Sequence, residues 1–518
     1  MNLRKESLRS FAATAAGVVA LVLALGSSAA RGQSAEETGP NAVTIDLRAA
    51  TTPFPHFWER MFGSGRAVLA LRAAYLHDLR EVHEATGFGY VRFHGIFDRG
   101  VGLYQLGPDG KPLYNFSYVD QIYDGLLRNH VRPFVELSFM PPDLAAPPAV
   151  HQGFWYHPVV SPPKSWALWD EFITAFARHL VARYGIEEVA KWYFEVWNEP
   201  NLDFWAGAPK QATYFALYDH TARDLKAVSP LIRVGGPSTA QSAWVPAFLD
   251  HAARDHVPVD FVSTHIYGQD PPENVFGTDA PVPLTRMVCK AVAMVHRQVE
   301  QSPLPHLPII YSEFNATFRN DPQFTDSLFM GPWMADTIRQ CDGLTYMMSY
   351  WTFSDVFEEQ GVVKRPFYGG FGLIAEDDLP KPAFNAFKLL HRLGHQRIPV
   401  ASPTVLATKR ADGTVVTAAW NLVLPGETGA AKQITLELAG AEAGWRAYIY
   451  RVDQTHGSLL DAYQAMGSPR YPTPKQIAEL RRAAALGPPQ VVPLAGNRLP
   501  LALPPNGLAV VEFHAPGK

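Results

Sequence analysis

A chain of 518 residues is too long for one compact core, so two domains are expected, one of them with room for a barrel of about 250 residues or more. The composition, 47% hydrophobic and 18% charged, is that of a globular protein folding in water. A net charge of −4 with no basic stripe to neutralise phosphates excludes nucleic acid as a partner.

The N-terminus has the pattern of a cleaved secretory signal. Arg4, Lys5 and Arg9 precede an apolar, Ala-rich run (11–25), and Ser28, Ala29 and Ala30 supply small residues for cleavage. The run falls short of the roughly 20 residues that span a bilayer. No cysteine follows it to carry a lipid, and no later stretch is long and apolar enough to span. Residues 1–32 are therefore expected to be signal peptide and leader. The mature protein is expected to be exported, to the periplasm or the medium, without stable membrane insertion. Residues 34–41 are polar. The segment AVTIDL (42–47) has strand character but precedes the first barrel strand, so it is expected to join the C-terminal domain.

From residue 57 a strand–helix alternation begins. Strands are expected within 57–66 and at 90–93, 132–137, 192–197, 232–236, 261–266, 309–312 and 345–350. Helices are expected at 67–86, 118–129, 165–184, 211–228, 244–255, 285–301 and 334–340, with a last one at 380–393. Eight such units predict a (β/α)8 barrel over 42–395. An open doubly wound sheet is disfavoured, because no strand runs into a GxGxxG phosphate loop. The long loops, 139–164, 267–284, 314–328 and 352–373, follow strand C-termini, the barrel face that carries active sites. Beyond 395 the texture changes to short strands at 404–408, 414–421, 433–438, 447–451, 490–493 and 507–514, divided by turns such as Asp412-Gly413. This predicts an antiparallel β-sandwich over 396–518. One helix interrupts it, introduced by Thr473-Pro474-Lys475-Gln476, an N-cap, N1 proline and capping-box glutamine.

Two strands end in a glutamate. In YFEVWNEPN (193–201) an aromatic strand stops at Pro200, which cannot extend a ladder, and leaves Glu199 at its C-terminal end. LPIIYSEFN (307–315) leaves Glu313 in the same place. Two carboxyl groups at one barrel rim can flank a glycosidic bond, one protonated and one ionised. The aromatic surroundings of Glu199 favour its protonated form and suit it to the acid role. Asn198 beside it suits a sugar 2-OH. Arg92 and His94, two residues apart, share one strand face, as do His265 and Tyr267. No histidine set has zinc spacing, and no GxSxG, phosphate-loop, flavin or nicotinamide motif occurs, so neither metal nor cofactor is expected. Cys289 and Cys341, the only cysteines, both fall in helical segments. An exported protein could pair them, but their spacing does not decide it.

With YVRFHGIF (90–97), FVSTHIYG (261–268), IIYSEFNA (309–316), SYWTFSDVFEEQG (349–361) and PFYGGFGLI (366–374), these motifs resemble glycoside hydrolase family 39, retaining barrel glycosidases that include β-xylosidases and α-L-iduronidases. The similarity runs from about residue 57 to the C-terminus, including RVDQTHG (451–457) and AMGSPRYPT (465–473). The resemblance implies Glu199 as acid/base and Glu313 as nucleophile, with Arg92 and Tyr267 keeping the nucleophile ionised and oriented. It implies Asn198 at the 2-OH, sugar hydroxyl contacts from His94, His265 and Glu359, and Trp351 as the subsite floor. Of the adjacent Glu358 and Glu359 only one should enter the pocket, and Glu359 is the one expected. Phe204 and Trp205 are candidates for the leaving-group side. The expected activity is exo-acting β-xylosidase on oligosaccharides or glycosides. Alternatives are an iduronidase-like enzyme using Arg319, Lys364 or Arg365, a β-glucosidase, an exopolysaccharide hydrolase, or a non-catalytic carbohydrate-binding barrel. Homo-oligomerisation is left open.

Overall fold

The computed structural model describes residues 41–516. The expected signal peptide and most of the leader lie outside the described residues. Among the described residues no helix is long and apolar enough to cross a membrane.

Eight parallel strands close on themselves in chain order. They are Met61–Arg66, Tyr90–His94, Arg132–Glu136, Tyr193–Glu195, Arg233–Thr239, Phe261–Tyr267, Ile309–Asn315 and Met347–Tyr350, the last pairing with the first. Helices cover the outside and side chains fill the inside, so these strands have no solvated face. That is why they read as continuous apolar runs rather than alternating ones. Met61, Phe134, Tyr193, Phe261, Ile310 and Met347 plug the interior near the strand starts. Polar groups are thereby left to the C-terminal rim, where pairing shifts register at Thr264/His265 and between Tyr311 and Phe314. Bulges of this kind re-aim side chains at a barrel rim.

Several helices differ from those expected. The segment expected as one helix at 67–86 is a 3-10 turn, Ala67–Leu71, and a helix, Ala73–Thr86, separated by extended Arg72. The helix expected at 334–340 is Met330–Cys341. Pro332 sits in its first turn, where a missing N–H costs no intrahelical bond. A short helix, Leu460–Ala465, had no sequence counterpart.

The C-terminal region is a β-sandwich. Its seven-stranded antiparallel sheet runs Thr52–Pro53, Gln396–Ile398, Val405–Lys409, Val415–Trp420, Leu508–His514, Arg446–Val452, Gln490–Pro493. It faces a sheet of Asn41–Asp46, Lys432–Ala439 and Arg498–Leu503, with Asn41–Asp46 parallel to Lys432–Ala439. Val43, Ile45, Leu436, Leu501 and Phe513 fill the space between the sheets. Arg498–Leu503 was missed because of Pro500. As an edge strand it tolerates the lost donor. The other face of the large sheet, through Leu406, Val416 and Val510, shares one core with the barrel helices Met330–Cys341 and Pro382–Leu390. The capping box at Thr473 forms and starts helix Pro474–Ala484. Cys289 and Cys341 form a disulfide between helices Leu284–Glu300 and Met330–Cys341, settling a pairing that sequence left undecided.

Candidate active site

The barrel rim holds a cavity of about 260 Å³ whose lining includes His94, Asn198, Glu199, Tyr267, Glu313, Trp351 and Glu359. Glu199 leaves strand Tyr193–Glu195 through a distorted turn. Trp197 (φ 72°) and Glu199 (φ 43°) both adopt left-handed backbone, unfavourable for side chains of this size. Ser238 holds the turn from both sides. Its hydroxyl donates to the Trp197 carbonyl (3.0 Å), and its carbonyl accepts the Glu199 N–H (2.8 Å). Strain of roughly 1–3 kcal/mol per residue persists only where surroundings enforce it, and here it turns a carboxyl into a cavity.

Arg92 organises the floor. Fully buried, it donates Nε–H to Glu195 (2.6 Å), Nη1–H to Glu313 (2.7 Å) and Nη2–H to Asn198 Oδ1 (2.9 Å), and it pairs with Glu136 at 2.7 Å. Burial opposes its charge, but the surrounding carboxylates outweigh that and push its pKa up. Burial also opposes charge on His94. Glu136, Glu359 and Glu313 reverse this and raise its pKa to about 10. The ring is then an imidazolium, with Nδ1 2.7 Å from Glu136 and Nε2 3.4 Å from Glu359. Glu136 is held below its usual range because Arg92 and His94 overcome the cost of burying it.

The two strand-end glutamates meet. Oxygens of Glu199 and Glu313 and a nitrogen of His265 lie within 4.8 Å of one another. Glu313 accepts from Arg92 on Oε1 and from the Tyr267 hydroxyl on Oε2 (2.7 Å), and Tyr267 keeps its proton because burial raises its pKa well above 10. Burial raises the Glu313 pKa above its usual range, and Arg92 pulls against it. Against that burial, both oxygens accept from fixed donors, Arg92 and Tyr267, and those hydrogen bonds favour the ionised form. Glu199 has no such donors. Burial raises its pKa to about 7, against the pull of His94 and Arg92.

The His265 tautomer is set by its neighbours. Burial lowers its pKa to about 4, so the ring is neutral. The Ser312 hydroxyl donates to Glu195 (2.5 Å) and can only accept from His265 Nε2–H (3.1 Å). Nδ1 is then bare and faces Glu199 Oε1 at 3.0 Å, where it accepts the carboxyl proton until a leaving oxygen takes its place as acceptor. Three residues, Glu195, His265 and Ser312 from strands 4, 6 and 7, thereby place one proton on Glu199.

Most sequence-predicted residues converge on this cavity, with corrections. His265, expected against sugar hydroxyls, is fully buried behind Glu199 and is not among the lining residues. Its ring nitrogens are taken by Glu199 and Ser312, so it acts on carboxyl groups, not on substrate. Trp205 is buried against Trp197 and donates to Thr213, whereas Phe204 reaches the lining. Of the adjacent pair, Glu359 lines the cavity. Glu358 turns away to Arg66 and Arg72, both at 2.7 Å, which hold it below its usual range against the cost of burial. Trp351 packs its ring on Gly63, where a Cβ would lie 2.3 Å from the indole.

Sequence reasoning missed Glu136, Glu195, Ser312, Gln241 and Asp270. A signal existed for the first two, a charged residue inside an otherwise apolar barrel strand, which is costly unless paired. Gln241 and Asp270 carry no local signal. Among the described residues, Glu199, His265 and Glu313 are close enough to hold a cation, as are His56, Glu59 and His391 at the opposite end of the barrel. In the first group Arg92 already supplies the positive charge that a metal would bring.

A (β/α)8 barrel presenting two carboxyl groups at this separation, one held ionised and one protonated, defines a two-carboxylate glycoside hydrolase. Residues 41–495 match glycosyl hydrolases family 39, and the chain belongs to that family. It is 37% identical to a β-xylosidase of Geobacillus stearothermophilus over 442 residues, 83% of this chain and 86% of that protein. It is 34% identical to a β-xylosidase of Caldicellulosiruptor saccharolyticus, over 86% and 91% of the two chains. The crystal structure of a monomeric β-xylosidase from Caulobacter crescentus CB15 superposes with a TM-score of 0.83 at 33% identity, covering 92% of this chain and all of that one.

Proposed function

We propose that the protein is a retaining, exo-acting β-xylosidase that removes xylose from the non-reducing ends of xylo-oligosaccharides. Glu313 attacks the anomeric carbon while Glu199 gives its proton to the departing glycosidic oxygen. A covalent glycosyl ester forms on Glu313. Glu199, now ionised, takes a proton from water as that water attacks the same carbon and frees Glu313. The observation that carries this reading is the carboxyl separation. An oxygen of each carboxyl within 4.8 Å of the other suits double displacement, where the two carboxyls stand about 5–5.5 Å apart, better than an inverting site at about 6.5–9.5 Å.

A neutral glycone is favoured by the lining itself. It contains no Lys or Arg, and its one cationic side chain, His94, is already paired with Glu136 and Glu359, so an iduronate carboxylate finds no free cation in it. Lys364 and Arg365 border a separate neighbouring cavity, and Arg319 borders neither. Xylose as the glycone is supported by likeness to the two β-xylosidases over most of the chain. Exo action is supported by a pocket too small for an extended chain. Asn198, His94, Glu359 and Trp351 are assigned to the glycone, with Trp351 beneath it. The Cys289–Cys341 bridge, together with the basic-then-apolar N-terminus, supports export.

The test is hydrolysis of aryl β-xyloside, β-glucoside, α-L-arabinoside and α-L-iduronide by wild type, Glu313→Ala and Glu199→Gln. Xyloside turnover is expected, with a loss of roughly 10⁴-fold or more in Glu313→Ala. Glu199→Gln should spare aryl groups that leave without a proton far more than alkyl ones. Wild type inactive on the xyloside overturns the substrate. Full activity in Glu313→Ala overturns the mechanism.

A further inference from the structure

We propose that Gln241 and Asp270 form the subsite for the first sugar of the leaving group, binding its hydroxyls through an amide donor and a carboxyl acceptor. This rests on Glu199 being the proton donor, because the leaving oxygen and the ring attached to it must lie on Glu199's side of the cavity.

Two chain segments beside Glu199 bring these residues there. The first is tied to the acid by the Ser238 carbonyl and to the following turn by Asn201, which accepts the Ala240 N–H (2.9 Å) and donates to the Ala240 carbonyl (3.1 Å). The next residue, Gln241, lines the cavity with left-handed backbone (φ 60°, ψ 28°). The Ser242 hydroxyl anchors the distorted segment on Tyr311 (3.2 Å). Unfavourable backbone enforced on both sides, at a residue facing a cavity, is how functional side chains are aimed.

The second segment is the turn after strand Phe261–Tyr267. Asp270 Oδ2 accepts the Tyr267 N–H at 2.7 Å, and the Gln241 amide donates to the same carboxyl group. Asp270 is 5% exposed and lines the cavity, yet among the described residues no Lys, Arg or His forms an ion pair with it. The proton transfers assigned above do not use it. Burial raises the Asp270 pKa to about 7, and a carboxyl that lines a cavity with no cation beside it is free to exchange hydrogen bonds with a ligand's hydroxyls. An amide beside a carboxyl offers donor and acceptor together, the match for vicinal hydroxyls. Phe204, also in the lining, supplies an apolar surface on which a sugar ring or an aryl ring can rest. An aryl leaving group can use that surface but not the polar pair.

The test compares kcat/KM for xylobiose and for an aryl β-xyloside in wild type, Asp270→Ala, Asp270→Asn and Gln241→Ala. The expected result is a fall of about 10-fold or more in the xylobiose-to-aryl ratio for Asp270→Ala, carried mainly by KM, with smaller falls for the other two. A ratio that stays at the wild-type value in all three variants overturns the subsite. Should Asp270→Ala fail to fold, Gln241→Ala and Asp270→Asn decide by the same ratio. Wild type that cleaves neither substrate removes the functional reading and this subsite with it. An active wild type with an unchanged ratio across the variants removes the subsite alone.

Discussion

At the scale of single residues, the protonation of Glu199 is decided two side chains away. Because the Ser312 proton is spent on Glu195, His265 must keep its own on Nε2 and offer Glu199 a bare nitrogen. Glu199 works as an acid, so activity should be present below its pKa of about 7 and fall as pH rises through it. In Ser312→Ala the Nε2 acceptor is gone. The opposite tautomer then becomes available, with Nδ1–H donating to ionised Glu199. That stabilises the charged form and lowers the pKa, so the basic limb of kcat/KM should move down by about one pH unit. The pH profile of an aryl xyloside checks this, and an unmoved limb would show that the serine only packs. Of this group sequence showed Glu199 plainly. A carboxyl ending a buried aromatic strand beside a proline is costly unless it works there. Ser312 was hidden, because a serine within a strand has no distinguishing cost until its partners on two other strands are known.

At the scale of elements, the cavity's loops are held by a buried charge cluster. Lys381, at the start of helix Pro382–Leu390, is fully buried. It pairs with Asp326 of the loop after strand 7 (2.6 Å) and Asp355 of the loop after strand 8 (2.7 Å), and donates to the Gly370 carbonyl (2.7 Å). Asp355 in turn accepts the Gly372 N–H at 2.7 Å. Lys381→Met would keep the volume and leave two carboxylates facing each other without a cation. The expected cost is about 3–5 kcal/mol in chemical denaturation, the size found when one partner of a buried pair is removed. Activity should fall as well, since Trp351 and Glu359 belong to the loop thus released. The barrel's elements were legible because continuous apolar runs alternating with helical stripes leave few alternatives. This cluster was not, because Lys381 stands in a Pro-Lys-Pro sequence that reads as an ordinary exposed helix start.

At the scale of the whole molecule, the disulfide ties the helix before strand 7 to the helix before strand 8 across a separation of 52 residues. Closing a loop of that length restricts the unfolded chain by about 2–4 kcal/mol. Reduction, or replacement of both cysteines by alanine, should lower the melting temperature measurably, and a melting curve unchanged by reductant would contradict it. The same scale explains why Asn41–Asp46 pairs far from its neighbours in sequence. It completes a sheet with Lys432–Ala439 before the barrel begins, so segments on either side of the barrel in the chain close one sandwich. By itself the sequence determined the barrel, the sandwich and the two catalytic candidates, because those depend on local pattern: hydrophobic period, turn residues and a carboxyl at a strand's end. Only the tertiary structure decided which side chains hold each glutamate in its protonation state, that His265 faces a carboxyl rather than a sugar, that the cysteines meet, and that Gln241 and Asp270 share a wall with Glu199. Each of those depends on distances between strands far apart in the chain. Electrostatic interaction and hydrogen-bond direction follow distance in space, which no local pattern encodes.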